Sequence, residues 1–378
     1  VPEGGLTAHA KESPLRMLAC LLLLSLAPCD RLPGFGSGAK TAFDGESALV
    51  FARAQVGFGP RVPGTPAHRA AGDWIVGRMR ERADTVEVQE WTHVTTNGRQ
   101  LPMRNILARF RPGHSERVLY ITHWDTRPTA ESDRNLGARG RPIPGANDGA
   151  SGVGLFVALA SALRETPPGV GVDLLFVDGE DYGTFETPIE DTTKNRDVLI
   201  GSQHFARTMA AGYRPIFGVV WDMIGDAFLQ INQEGHSVRA APEVVARVWG
   251  VARDLDYEEY FLSQTTGGIT DDHVPFIRRG LRVIDVIDID YCLDGGTACG
   301  GDPSRNLHHT HEDTIDKISA QSLQIVGDVA LTLVVSVEVF KRYILNAPTA
   351  WIYDLNSMLY GTLFMMCGAY TLALAGHV

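Results

Sequence analysis

Four short apolar runs, at 118–122, 172–177, 216–221 and 281–287, constrain this chain more than any other feature. Each is rich in Val, Ile, Leu or aromatic residues, as a strand buried on both faces must be. Between them lie stretches at 151–164, 201–211 and 242–255 whose apolar residues recur every three and four positions, the spacing of a helix with one buried face. A further stretch, 319–345, predicts a long closing helix. Strand and helix in alternation predict an α/β domain around a largely parallel sheet. In such sheets ligands bind beyond the carboxyl ends of the strands. The residues that follow the runs therefore map a site: His123, Trp124 and Asp125 after the first, Asp178, Gly179, Glu180 and Asp181 after the second, and Asp222 closing the third.

Taken singly, an Asp or His at a strand end is weak evidence, because such residues often cap turns. Here three strand ends deliver imidazole and carboxylate groups to one edge, and two more segments join them. One is G-A-N-D-G-A-S-G, which sets Asp148 in a Gly-lined turn before a helix; the other is H-H-T-H-E-D-T, running from His308 to Thr314. A mixed set of imidazoles and carboxylates suits zinc or another first-row divalent ion better than calcium or magnesium, which prefer oxygen alone. Hydrolytic chemistry at such an ion also needs a base. Glu180 beside Asp181 meets that need, one carboxylate serving the metal and the other the proton.

The 378 residues, 44% hydrophobic and 21% charged, are ordinary globular composition and enough for one large domain. A net charge of −11 leaves no basic stripe for a phosphate backbone, so no nucleic-acid partner is expected. Arg16 followed by an apolar run at 18–27 reads as a secretory signal, too short to span a bilayer. With Cys29 just after it the run resembles a bacterial lipoprotein signal, in which that Cys is lipidated, although Pro28 stands where that pattern has a small residue. A cytosolic enzyme with a leader-like stretch is the alternative. The domain layout expected is a signal and tether over 1–42, a catalytic domain over 43–346 and an apolar segment over 347–378. No charge occurs from 355 to 376, a length that can cross a membrane, be a buried terminal helix, or reflect a wrong reading frame. The location expected is periplasmic or cell-envelope, by lipidated Cys29 or by this segment. Cys292 and Cys299 flank a Gly-rich loop and could pair in an oxidising compartment; they lack the spacing of zinc ligands.

From about residue 51 to 345 the motifs resemble, in order and spacing, the zinc aminopeptidase and glutaminyl-cyclase family, peptidase family M28. The family's series of H-x-D, an Asp in a small-residue turn, E-E or E-D, a later Asp and H-T matches His123 with Asp125, Asp148, Glu180 with Asp181, Asp222, and His309 with Thr310. The resemblance implies a three-layer sandwich with a mostly parallel, mixed central sheet flanked by helices. It also implies one zinc position at Asp148, Asp181 and His309 and a second at His123, Asp148 and Asp222, with Asp148 shared. Glu180 would be the general base and acid, and Asp125 would hold His123 through its other nitrogen. His308 and His311 compete with His309; the pattern H-T-x-x-D-T selects His309.

Three segments resemble the cyclase branch: G-P-R-V-P-G at 59–64, G-S-Q-H-F-A at 201–206 and D-D-H-V-P-F-I-R-R-G at 271–280. In that branch the first Asp of D-D-H joins the proton network of the catalytic Glu, a role that would fall to Asp271; Asp271 or Asp272 could instead cap the helix that follows. Away from that branch point His308, where animal cyclases carry Trp, the stretch with Phe185 and Glu186 but no Trp, and the peptidase-like turn around Asp148. Trp124 and Trp221 are expected in the core, and the insertion at 292–307 could reshape the mouth of the pocket. The leading expectation is a two-zinc aminopeptidase acting on peptides with a free N-terminus, with water attacking the scissile carbonyl. The alternative is a one-zinc glutaminyl-peptide cyclotransferase, in which the substrate's own α-amine attacks its side-chain amide. A non-catalytic binding module of the same fold is the remote third reading.

Overall fold

The computed structural model describes residues 41–184 and 195–343. The leader with Cys29, Phe185 and Glu186, and the apolar stretch at 355–376 lie outside the described residues. Among those described, no helix is long and apolar enough to cross a membrane.

In chain order the elements are α1 (Gly45–Val56), α2 (Pro66–Arg80), β1 (Thr85–Val94), β2 (Gln100–Phe110), β3 (Arg117–His123), α3 (Ala150–Glu165), β4 (Gly171–Val177), α4 (Ile200–Thr208), β5 (Phe217–Asp222), β6 (Ile231–Gln233), α5 (Gly235–Ala240), α6 (Pro242–Asp254), β7 (Phe261–Thr265), α7 (His273–Ile277), β8 (Val283–Ile287) and α8 (Ala320–Tyr343). The four apolar runs are β3, β4, β5 and β8, and they form the parallel part of a six-stranded sheet ordered β1-β2-β4-β3-β5-β8. β1 and β2 make an antiparallel hairpin added to the edge through an antiparallel β2–β4 pairing. The sheet is therefore mixed and mostly parallel.

Alternate residues of each strand face opposite layers. Val118, Tyr120, Leu174, Val219 and Val286 pack with residues of α1, α2, α3, α6 and α8 on one face. Leu119, Ile121, Leu175, Val220 and Val283 meet Phe205 of α4 and Phe276 of α7 on the other. This is the three-layer sandwich. Trp124 and Trp221 are both in the core, 1% and 0% exposed. Near the site α3 approaches β3 and β5 so closely that a Cβ on Gly152 would collide with Thr122 and the Trp221 carbonyl oxygen.

At the far end of β3 from His123 the sheet buries an ion pair. Arg117 donates from Nε to Asp173 Oδ2 at 2.9 Å and from Nη2 to Oδ1 at 2.5 Å, Tyr213 donates its hydroxyl to the same carboxylate, and Asp173 is fully buried. The remaining guanidinium hydrogens go to the carbonyls of Phe110, Arg111, His114 and Val172. Removing one partner of a satisfied buried pair leaves the other charge uncompensated. Asp173→Ala should therefore lower unfolding stability by about 3–5 kcal/mol in a denaturant titration, while zinc content of the folded fraction stays at the wild-type level.

Candidate metal centre

Each expected donor sits where a strand or a held turn delivers it. His123 and Asp222 end the parallel neighbours β3 and β5, and His123 Nε2 lies 3.1 Å from Asp222 Oδ1. Asp148 reaches both sides: its Oδ1 is 3.1 Å from His123 Nε2, and its Oδ2 is 3.8 Å from His309 Nε2. His309 Nε2 is 3.3 Å from Asp181 Oδ1. All five residues expected as ligands are thus brought together, in two groups that share Asp148.

The turn carrying Asp148 is clamped from several sides. Arg61, fully buried in the first cyclase-like segment, donates to the carbonyls of Pro144 and Gly145. Asp313 accepts the backbone N–H of Asn147 at 2.7 Å and of Asp148 at 3.2 Å. Gly149 follows with φ of +92° and no room for a Cβ against the Asp125 carbonyl and the His123 ring, a conformation that glycine alone adopts readily. Asp313 is the Asp of the H-T-x-x-D-T pattern that selected His309, but neither its clamp on the Asp148 turn nor the partner of Arg61 was read from the sequence.

Asp125 does more than expected. It faces His123 Nδ1 at 3.5 Å, and it also accepts the backbone N–H groups of Glu180 and Asp181 at 3.1 and 3.3 Å. One carboxylate therefore sets the height of the E-D loop relative to the imidazole. The start of that loop is fixed by Asp178, which accepts from Arg104 N and pairs with His68 Nε2 at 2.8 Å.

His308 is also 3.8 Å from Asp148 Oδ2, so distance to that oxygen does not separate it from His309. His309 alone of the two reaches Asp181, and its Nδ1 is 2.9 Å from Glu131 Oε1. The φ of His309 is +59°, a left-handed backbone that costs a non-glycine residue roughly 1–2 kcal/mol. His311 turns away to Asp133, with Nδ1 at 2.7 Å from its carboxylate.

Asp271 is buried, and it does not cap α7: the residue at the cap position is Asp272, whose side chain makes no capping bond. Glu180 is only 9% exposed. Burial pushes its carboxyl well above the ordinary range; His123 pulls the other way, and Asp271, Asp181 and Asp272 reinforce the rise. Burial likewise pushes Asp271 up to about 6, with Asp222 adding to it. Burial and then Asp271 raise Asp285. The insertion closes on itself through a Cys292–Cys299 disulfide and a Cys292–Asn306 bridge, directly before the two histidines.

The donors fit a divalent ion. Asp148 Oδ2 and Asp181 Oδ2 are buried without a hydrogen-bond partner, a costly state for carboxylate oxygens unless a cation meets them. Ligands about 2.0–2.1 Å from a tetrahedral zinc stand about 3.3 Å apart, and the separations of 3.1–3.8 Å between Asp148 or Asp222 and the two imidazoles bracket that value. A separate cleft lined by His68, Trp91, Arg104 and Trp124 contains none of these donors.

Known proteins resemble this chain in sequence and fold. The family model described as Peptidase family M28 matches residues 105–334. Bovine glutaminyl-peptide cyclotransferase is 29% identical across 68% of this chain and 76% of its own. The crystal structure of Porphyromonas gingivalis glutaminyl cyclase superposes with a TM-score of 0.71 at 35% identity, covering 78% of this chain and 98% of that one. A Zn-dependent exopeptidase from Parabacteroides distasonis has the same TM-score and identity, covering 79% and 99%. These relatives are zinc peptidases or glutaminyl cyclases, enzymes in either case. With more than half of its length matched by the family model, the chain belongs to peptidase family M28.

Proposed function

We propose that this chain converts N-terminal glutamine of peptides to pyroglutamate, with zinc held by Asp148, Asp181 and His309. The observation that carries the choice is the buried carboxylate group behind Glu180, in which Asp271 of the D-D-H segment opposes ionisation of Glu180. The other two cyclase-like segments build different parts of the same region. Arg61 holds the Asp148 turn, and Gly201 lets α4 lie against the backbone of Asp178. Ser202 donates to the Leu199 carbonyl at the start of α4, and the charge of Asp271 adds to the burial that opposes ionisation of Glu180.

Zinc, when bound, supplies a Lewis acid that polarises the γ-amide carbonyl and steadies charge on its oxygen. The chain's own residues manage one proton. The α-amine nitrogen bonds the side-chain amide carbonyl carbon, Cδ, as the bond from that carbon to the amide nitrogen breaks; Glu180 takes the proton that the attacking nitrogen sheds and returns it to the amide nitrogen, which leaves as ammonia. An acid whose pKa burial has raised holds a proton more readily than a free carboxylate and serves both halves of that exchange. Asp125 keeps Glu180 in reach by holding the backbone of its loop.

Hydrolysis of the N-terminal peptide bond is the second reading, favoured by the complete second donor set of His123, Asp148 and Asp222 and by the equal likeness to the exopeptidase. Export, with Cys29 or the apolar stretch at 355–376 at a membrane, belongs to the same proposal on the strength of the sequence.

Two measurements test the reading. Glu180→Gln is near-isosteric and cannot accept the proton, so kcat should fall by about two to four decades with zinc retained; an unchanged kcat would remove Glu180 from the chemistry. Elemental analysis beside a substrate panel separates the branches. One zinc per chain with turnover of glutaminyl but not leucyl peptides supports cyclisation, whereas two zincs with leucyl peptide hydrolysis would establish the peptidase.

A further inference from the structure

The loop after Asp125 carries two charged residues that motif reading passed over. Arg127 is 5% exposed, and its guanidinium makes two charge-assisted bonds: Nη1 to Asp181 Oδ1 at 2.5 Å and Nε to Glu131 Oε1 at 2.5 Å. The same Glu131 oxygen lies 2.9 Å from His309 Nδ1, and Thr129 bonds its Oε2. A metal-binding imidazole needs its second nitrogen held by an acceptor, which fixes the tautomer and leaves the other nitrogen's lone pair for the ion. Glu131 supplies that acceptor for His309. Arg127 in turn fixes Glu131 and holds one oxygen of Asp181, while Asp181 Oδ2 remains without a hydrogen bond.

The surrounding backbone agrees. Ser132 N donates to the His309 carbonyl, and Asp133 accepts both the backbone N–H of His311 and its ring nitrogen. Residues 127–133 are thus docked along 309–311. The His123 side of the centre faces its own carboxylate, with Nδ1 3.5 Å from Asp125 Oδ1, and takes no part in this chain of contacts.

We infer that Arg127 and Glu131 are positioning residues that tie Asp181 and His309 into one preset pair, so that zinc affinity at the Asp148–Asp181–His309 position depends on them acting together. The inference rests on the zinc site of the preceding section, and it holds for cyclase and peptidase alike. It implies that the two members are worth little separately. Without Arg127 the Glu131 carboxylate is free to leave His309; without Glu131 the guanidinium still holds Asp181 but His309 loses its acceptor.

The test is zinc affinity of the full chain, measured by competition with a chromophoric chelator, alongside thermal midpoints of the metal-free proteins. Glu131→Ala and Arg127→Met should each weaken one zinc equivalent by about 10–100-fold while the metal-free midpoint stays close to wild type. The double variant should be no weaker than the worse single. Glu131→Gln, which keeps an acceptor oxygen, should recover part of the loss. With cobalt in place of zinc, Glu131→Ala should shift the visible absorption bands, which report ligand geometry. Zinc affinity of Glu131→Ala within twofold of wild type, or losses that simply add in the double variant, would overturn the inference. If the alanine variant does not fold, Glu131→Gln and Arg127→Lys decide on the same criteria. A wild-type protein that binds no zinc would instead defeat the site itself.

Discussion

The structure turns on a carboxylate that must serve two sides at once. Asp148 presents Oδ1 to His123 and Oδ2 to His309, and it is 2% exposed. Burying that charge costs several kcal/mol before compensation, so its position cannot be left to a mobile loop. Asp313 fixes the backbone of the turn, Arg61 holds the carbonyls before it, and Gly149 permits the reversal into α3. The tight seat of α3 on β3 and β5 at Gly152 then carries the turn to the level of the strand ends. Packing in the core and placement of the acid are one arrangement.

Around it the centre gathers Asp181, Asp222, Glu180 and Asp271 beside two ring nitrogens. So many acids in little water cannot all remain charged without cations. The protein divides them. Asp148 beside His123 and Glu131 beside His309 and Arg127 are held ionised, whereas burial raises Asp181 and Asp222 despite their own His and Arg neighbours. Burial pushes Asp271 and Asp285 upward, and the charge of Asp271 opposes ionisation of Glu180. The opposite end of β3 shows the contrasting solution, in which Arg117 matches Asp173 bond for bond and no chemistry is available.

Much of this was legible in the sequence because periodicity and site shared one signal. A strand buried on both faces is a continuous apolar run, and its end is the first polar residue; the same letters gave β3, β4, β5 and β8 and the donors after them. The β1–β2 hairpin carried no such run. In β1 exposed and half-buried residues alternate, Glu87 and Glu90 among them, because that strand is an edge. The helices α1 and α2, before the first strand, were likewise unread, their apolar faces being broken by Arg53, His68 and Asp73. At the site the ligand residues were readable through fixed spacing. Arg127 and Glu131 were not, since an i, i+4 pair in a loop looks like any surface charge pair until the His309 strand of contacts is folded against it.

The two chemistries open to this scaffold differ in the number of cations and in what attacks the carbonyl, and both differences trace to charge. Asp222 serves the His123 side, yet Asp222 also raises Asp271, so an ion held at His123, Asp148 and Asp222 would relieve the very repulsion that keeps protons among the acids behind Glu180. The reading with a second cation turns on His123, whose Nε2 has Asp148 and Asp222 each at 3.1 Å, and the reading with one turns on His309, with Asp148 common to both.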